Sequence, residues 1–246
     1  VDDDAQVAAG QDATMNDLVE AIGLGLVSQA SLLIAGVVVC WITFPTRLVG
    51  ILAGFGAGAL ISAVAFDLIA ETIRLDTWEL ALGMLGGAAI FLVGDRAVER
   101  RYGDEGTGGA MGIVVGSVVD GVPESAILGI SVAAGAPISA AFVFAVFVSN
   151  IPQAIAPSAD LASAGWGPAR LAKLWGAVLG ACVVAAALGY VVAEGVGTDG
   201  SWMAAIAAGG LLAMLTDSLI PFAYERGRDW AGVATVVGFC LALGGS

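Results

Sequence analysis

Hydrophobic residues in this chain come in long runs, and most charged residues fall in the gaps between them. Eight such runs lie near Val19–Phe44, Leu48–Ala70, Leu80–Val98, Ala110–Ala134, Pro137–Ala156, Leu171–Ala193, Trp202–Ala223 and Ala231–Leu243. Runs of roughly 18–25 apolar residues match a hydrocarbon core about 30 Å thick. Turn and breaker residues separate them, as at Phe44-Pro45, Gly106–Gly109 and Gly195–Gly200. The short Gly135-Ala136-Pro137 turn alone divides the fourth run from the fifth. The pattern predicts an all-α membrane protein, a bundle of eight transmembrane helices in one domain (residues 18–246). An acidic N-terminal tail precedes it at residues 1–17, holding Asp2, Asp3, Asp4, Asp12 and Asp17, with no basic signal-peptide region and expected to be a trimmed or a disordered segment.

The basic residues orient the bundle. If the N-terminus is extracytoplasmic, the cytoplasmic connections hold Arg47; Arg96, Arg100 and Arg101; Arg170 and Lys173; and Arg226 and Arg228. Of the 9 basic residues, only Arg74 then faces outward. The positive-inside rule therefore predicts both termini outside. The outer connections are acidic, with Glu71, Asp76, Glu79, Glu194 and Asp199, a rim that either attracts cations or simply aids solubility.

Composition agrees with this reading. The chain is 59% hydrophobic and 13% charged, with mean hydropathy +0.93, outside the range of ordinary soluble domains. Its 36 glycines suit close packing of membrane helices. A net charge of −13 argues against a nucleic-acid partner. Cys40, Cys182 and Cys240 all lie in apolar runs and read as small buried hydrophobes.

Two internal repeats are visible. Ala57-Gly58-Ala59-Leu60-Ile61, leading to Asp67-Leu68-Ile69-Ala70-Glu71, parallels Ala208-Gly209-Gly210-Leu211-Leu212, leading to Ser218-Leu219-Ile220-Pro221-Phe222. The two runs lie in opposite directions across the predicted bundle, as an inverted repeat requires. Asp120-Gly121-Val122-Pro123-Glu124 aligns without a gap to Ser149-Asn150-Ile151-Pro152-Gln153. Proline lacks an N–H and crowds the carbonyl four residues back. Pro123 and Pro152 thus predict kinks in the fourth and fifth helices and free the carbonyls of Val119 and Val148. Such acceptors persist at membrane depth only against protein or a wet cavity.

Asp120 and Glu124 are one helical turn apart on one face, and Ser149 and Gln153 are similarly related. An ionised carboxylate at mid-helix costs about 2.5–3.5 kcal/mol on insertion scales, and neither helix contains a basic residue to neutralise it. Protons, water or a cation must offset that cost. Carboxylate, hydroxyl and amide oxygens together suit a divalent metal. The bland alternative is that the prolines only bend helices and the two acids sit protonated. Asp217 either joins a site or marks the interface. Asp67 and Glu71 stand near an outer mouth, where solvated roles are common, and Cys182 reads as packing before ligation. No enzyme is expected: His-Glu-x-x-His is absent, Gly94-Asp95 lacks the context of intramembrane aspartyl proteases, and no histidine exists to serve as a base.

The doubled proline motif resembles that of the Zrt/Irt-like (ZIP) metal-ion transporter family. Its members have eight spans and extracytoplasmic termini. They carry His-Asn-x-Pro-Glu-Gly and His-(Asp/Asn)-x-Pro-Glu in the fourth and fifth spans. Asp120 to Ser125 is similar to the first motif and Ser149 to Ala154 to the second. The runs Ala57 to Glu71 and Ala208 to Pro221 are similar to the family's second and seventh helices. Asp120 and Ser149 stand where the family has histidines, Gly121 replaces an amide and Gln153 a glutamate. Cys182 aligns with a glutamate of the family's sixth span, and the histidine-rich connection is missing from Glu99 to Gly109. The resemblance implies a divalent cation as transported substrate, moved toward the cytoplasm across the cell membrane, with no organic cofactor. Its ligands would be Asp120, Glu124, Ser149, Asn150 and Gln153. Loss of imidazole hardens the site toward Mn²⁺, with zinc or iron still compatible. The alternatives are a non-transporting cation sensor or scaffold, or a proton- or sodium-coupled solute carrier. Gly50-x-x-x-Gly54 and Gly112-x-x-x-Gly116 offer faces for packing within the bundle or in a homodimer.

Overall fold

A computed structural model describes residues 2–102, 108–135, 138–196 and 200–245 of the chain. Among these there is no strand. The helices are α1 (Asp2–Val38), α2 (Thr46–Ala63), α3 (Thr77–Tyr102), α4 (Gly108–Ala133), α5 (Ala140–Ser163), α6 (Pro168–Val196), α7 (Ser201–Met214), α8 (Ile220–Gly227) and α9 (Asp229–Leu243). Two π-helical turns, Val64–Leu68 and Leu215–Leu219, extend α2 and join α7 to α8. A short 3-10 turn, Ala70–Thr72, follows the first.

Among the described residues, six stretches are long and apolar enough to cross a membrane: Thr14–Val38, Thr46–Leu68, Thr77–Ala97, Ala140–Ser163, Pro168–Gly195 and Ser201–Gly227. α9 is apolar but shorter. Large side chains face outward along whole helices, with Leu82, Leu85, Ile90 and Val93 exposed on α3 and Val233, Val236, Val237 and Leu241 on α9. Water would penalise such stripes, whereas lipid does not.

The boundaries differ from the sequence expectation in physically simple ways. α5 starts at Ala140, not Pro137, because Ser139 is its N-cap and accepts a hydrogen bond from the Phe142 amide. It continues past Ala156 through Pro157 to Ser163, and Gly165 supplies a left-handed turn (φ 89°) just beyond it. The seventh run is not one uniform helix, since the π-helical turn interrupts it. The acidic segment expected to be a disordered tail is helical from Asp2 and continuous with α1. The breakers at Gly106–Gly109 and Gly195–Gly200 lie partly outside the described residues, as do Ala136, Pro137 and Asp199; the side chains of Glu71 and Arg101 are also outside them.

Glycines set how the bundle closes. α2 runs parallel to α9: Gly50 abuts Gly227, Gly54 the Ala231 carbonyl and Gly58 the Thr235 carbonyl. The Gly50-x-x-x-Gly54 face is thus used inside the bundle. α3 runs parallel to α7, where Gly87 meets the Ile206 carbonyl and Gly209 the Met84 carbonyl. These two helix pairs share one register. Gly58 against Thr235 matches Gly209 against Met84, and Gly87 against Ile206 matches Gly238 against Phe55, always at the same sequence interval. That interval also relates the π-helical turns, in which the Ile69 amide bonds the Val64 carbonyl and the Ile220 amide bonds the Leu215 carbonyl. Each π-helical turn packs against the α-helical part of the other helix, as antiparallel neighbours do.

The remaining helices, α1, α4, α5 and α6, pack mainly on one another. α4 and α6 interlock where Gly129 meets the Ala186 carbonyl and Gly189 the Ala126 carbonyl. α1 crosses α6 antiparallel, with Gly25 on Ala186 and Gly36 on the Trp175 ring. Trp175 is fully buried and donates from Nε1 to the Ser158 hydroxyl at 2.7 Å. At the end of the bundle where α2 begins and α8 ends, Arg47 lies 5.6 Å from the Trp230 ring and Arg226 3.8 Å from the Phe222 ring. Basic and aromatic residues grouped in this way suit a membrane interface.

Candidate functional site

The polar interior of the bundle is built by three helices. α4 contributes Ser117, Asp120, Glu124 and Ser125; α5 contributes Ser149, Asn150 and Gln153; α1 contributes Ser28, Gln29 and Ser31. All are buried. Asp120 and Glu124 stack one turn apart around Pro123, which lies within the continuous α4 helix, and Pro152 occupies the corresponding place in α5. No Lys or Arg occurs in either helix.

A chain of carboxamides links the three helices. Asn150 Nδ2 donates to Gln29 Oε1 at 2.7 Å, and Gln29 Nε2 donates to Glu124 Oε2 at 3.2 Å. Gln29 and Glu124 are both fully buried. Space for this chain comes from Gly121: a Cβ there would lie 3.3 Å from Gln29 Oε1 and 2.8 Å from Cys182 Sγ. The α2 backbone closes the opposite side, because Gly56 lets it approach Ser149.

The atoms without partners show where coordinating capacity remains. Glu124 Oε1 and both polar atoms of Gln153 are buried and make no hydrogen bond. Leaving such a group unmet costs about 1–3 kcal/mol, more for a charge, so the positions ask for a ligand or water. Ser149 is otherwise engaged, donating to the Val146 carbonyl of its own helix at 2.9 Å. Asn150 is committed to Gln29. Of the expected ligands, Asp120 and Gln153 line open space and Glu124 keeps an unpartnered oxygen, while Asn150 and Ser149 are held in place by the hydrogens they donate, their oxygens keeping lone pairs.

That space is a cavity of about 210 Å³ lined by Gly116, Ser117, Asp120, Gln153, Ser218, Leu219 and Phe222. It extends from Asp120 toward the N-terminal part of α4 and the Phe222 turn of α8, which is the end of the bundle bearing Arg226. Asp217 itself is exposed; its neighbour Ser218 lines the cavity. Asp67 lies elsewhere, partly buried, where it accepts a 2.7 Å hydrogen bond from Ser139. Cys182 is fully buried against Gly121, beside the carboxamide chain. The Glu71 side chain is outside the described set.

Among the described residues, no three His, Cys, Asp or Glu side chains gather into a group able to hold a metal ion. The arrangement offers instead two carboxylates supplemented by neutral amide oxygens. Reading the sequence missed Gln29 and Ser218. Gln29 had a signal, since Ser28, Gln29 and Ser31 interrupt an apolar run much as the α5 motif does. Ser218 had only its place in the repeat. No protein-family model matches this chain, and no curated protein sequence does.

Proposed function

We propose that this protein is a ZIP-like carrier that moves a divalent metal cation across the cell membrane toward the cytoplasm. The observation that supports it best is the pair Asp120 and Glu124. Both are buried without basic partners in their helices, beside unmet Glu124 and Gln153 atoms, and Asp120 and Gln153 line a cavity. Two acids held in a low-dielectric interior favour an incoming cation, because charge–charge attraction there is far stronger than in water. The cation is the substrate: Asp120, Glu124 and Gln153 supply its oxygens, and the cavity is its exit on the basic, cytoplasmic side. Oxygen donors without imidazole favour Mn²⁺, with Zn²⁺ and Fe²⁺ as competitors. Antiparallel halves with equivalent packing suit a carrier that exposes one site alternately to two sides. Eight spans, extracytoplasmic termini and proline-kinked fourth and fifth helices belong to the same proposal, as does a lipid-embedded homodimer.

The second reading is a cation sensor or scaffold that binds without transport. It is favoured by the fixed setting of Glu124, fully buried and hydrogen-bonded to Gln29, which in turn is bonded to Asn150. Reconstituted vesicles distinguish the two. Uptake of Mn²⁺ or Zn²⁺ by the wild type, abolished in Glu124→Ala, supports a carrier. Saturable binding without flux supports the sensor, and uptake unchanged in Glu124→Ala overturns the carrier.

A further inference from the structure

The residue that brings α1 into the acidic site is Gln29, and its hydrogen bonds point one way. A carboxamide has two donor hydrogens and one acceptor oxygen. Here the oxygen is taken by Asn150 and the nitrogen faces Glu124 Oε2. One oxygen of Glu124 thereby accepts from a donor, and Oε1, also buried, has no partner. The geometry leaves Gln29 little freedom. Its carboxamide lies beside Gly121, where any Cβ would press on Oε1, and Cys182 Sγ borders the same space.

We propose that Gln29 is a specificity-determining positioning residue, holding Glu124 as a one-oxygen ligand so that the site prefers compact divalent cations over Ca²⁺. This rests on the cation-site reading above and names how that site selects. Compact cations such as Mg²⁺ accept near-octahedral shells of single oxygens, and Mn²⁺ suits the same oxygen donors. Ca²⁺ fills 6–8 positions, often with a bidentate carboxylate. The Gln29 amide takes one of the lone pairs on Oε2 and fixes how the carboxylate is turned, so chelation through both oxygens has to compete with that bond while coordination through Oε1 does not. Gln29 touches no cation in this account; it acts through Glu124, as carboxylate partners do around metal sites.

The test uses purified full-length protein, with Mn²⁺, Zn²⁺ and Ca²⁺ binding measured by calorimetry on the wild type and on Gln29→Leu, Gly121→Ala and Glu124→Gln. Leu keeps much of the volume of Gln and removes both hydrogen bonds. The expected result is a loss of Mn²⁺ affinity of roughly 10–100-fold in Gln29→Leu, with a smaller loss or a gain for Ca²⁺, so that the Mn²⁺/Ca²⁺ ratio falls. Gly121→Ala presses on Cys182 Sγ and, more lightly, on Gln29 Oε1, and should move the ratio in the same direction by a smaller amount. A purely structural role would weaken all ions together, so equal losses for Mn²⁺ and Ca²⁺ overturn the proposal. So does an unchanged ratio in a Gln29→Leu protein whose thermal stability matches the wild type. If Gln29→Leu does not fold, Gln29→Asn, which is polar but too short to bridge, must show the altered ratio, and an unaltered one overturns the proposal. Wild-type binding lost only in Glu124→Gln rejects the role of Gln29 while keeping the site. No binding of any ion by the wild type rejects both.

Discussion

The Ser139 hydroxyl donates to the Asp67 carboxylate at 2.7 Å while accepting from the Phe142 amide at 3.0 Å. One small side chain thus caps α5 and fastens it to the π-helical turn at the end of α2. Replacing it removes both links. Ser139→Ala should lower stability by about 1–2 kcal/mol, read as a lower thermal midpoint in detergent. Asp67→Asn should cost less, since its amide oxygen can still accept from Ser139.

The acidic pair should dominate function over the other carboxylates. Asp120→Asn and Glu124→Gln are expected to reduce Mn²⁺ uptake into vesicles by at least about 10-fold. Asp217→Asn, which changes an exposed side chain, should reduce uptake less than either of these. An Asp217→Asn variant as impaired as Glu124→Gln would shift the site toward the second π-helical turn.

Matched glycines should respond alike. Gly58→Ala and Gly209→Ala each drive a methyl into a carbonyl of the partner helix, and overpacking of this kind costs about 1–3 kcal/mol. Gly86 and Gly94, inside α3, have nothing within 4 Å of the place an added methyl would take, so Ala there should be tolerated or raise stability by about 0.5–1 kcal/mol. Thermal unfolding of the four variants checks both the size and the pairing of the effects.

Trp175 gives a separate measure of how α5 and α6 adhere. Trp175→Phe leaves the Ser158 hydroxyl without its indole donor in a fully buried place. A cost of about 1–3 kcal/mol is expected, together with loss of a blue-shifted component from the tryptophan emission.

Orientation can be read chemically. Ala134 and Ala164 are exposed residues just beyond α4 and α5. With Cys40, Cys182 and Cys240 replaced, Ala134→Cys should react with an impermeant maleimide in right-side-out vesicles and Ala164→Cys only after permeabilisation. The reverse pattern would place the arginine-rich end outside.

The helical, membrane-like character was plain from the sequence because hydrophobic run length is a local property. The α4 and α5 polar positions were legible for a similar reason: a polar residue and a proline inside an apolar run have few explanations. What sequence alone did not reveal was which polar groups hold one another. Asn150 donates to Gln29 and Ser149 to its own backbone; Asp67 looked solvated and anchors a cap. These outcomes depend on helix rotation and on neighbours distant in sequence, which spacing cannot encode. Gln29 was missed because it stood without a proline to mark it, and its role depends on the space left by Gly121 in another helix.

The two π-helical turns have a geometric consequence. A π turn closes i→i+5 bonds and so holds one more residue than an α turn, which rotates everything beyond it. Val64–Leu68 and Leu215–Leu219 carry the extra residue at equivalent places, among glycine contacts that share the same register. The two bulges thus widen the two helices at the same depth of equivalent packing, so a side chain just past each is turned by the same amount relative to the α-helical frame before it.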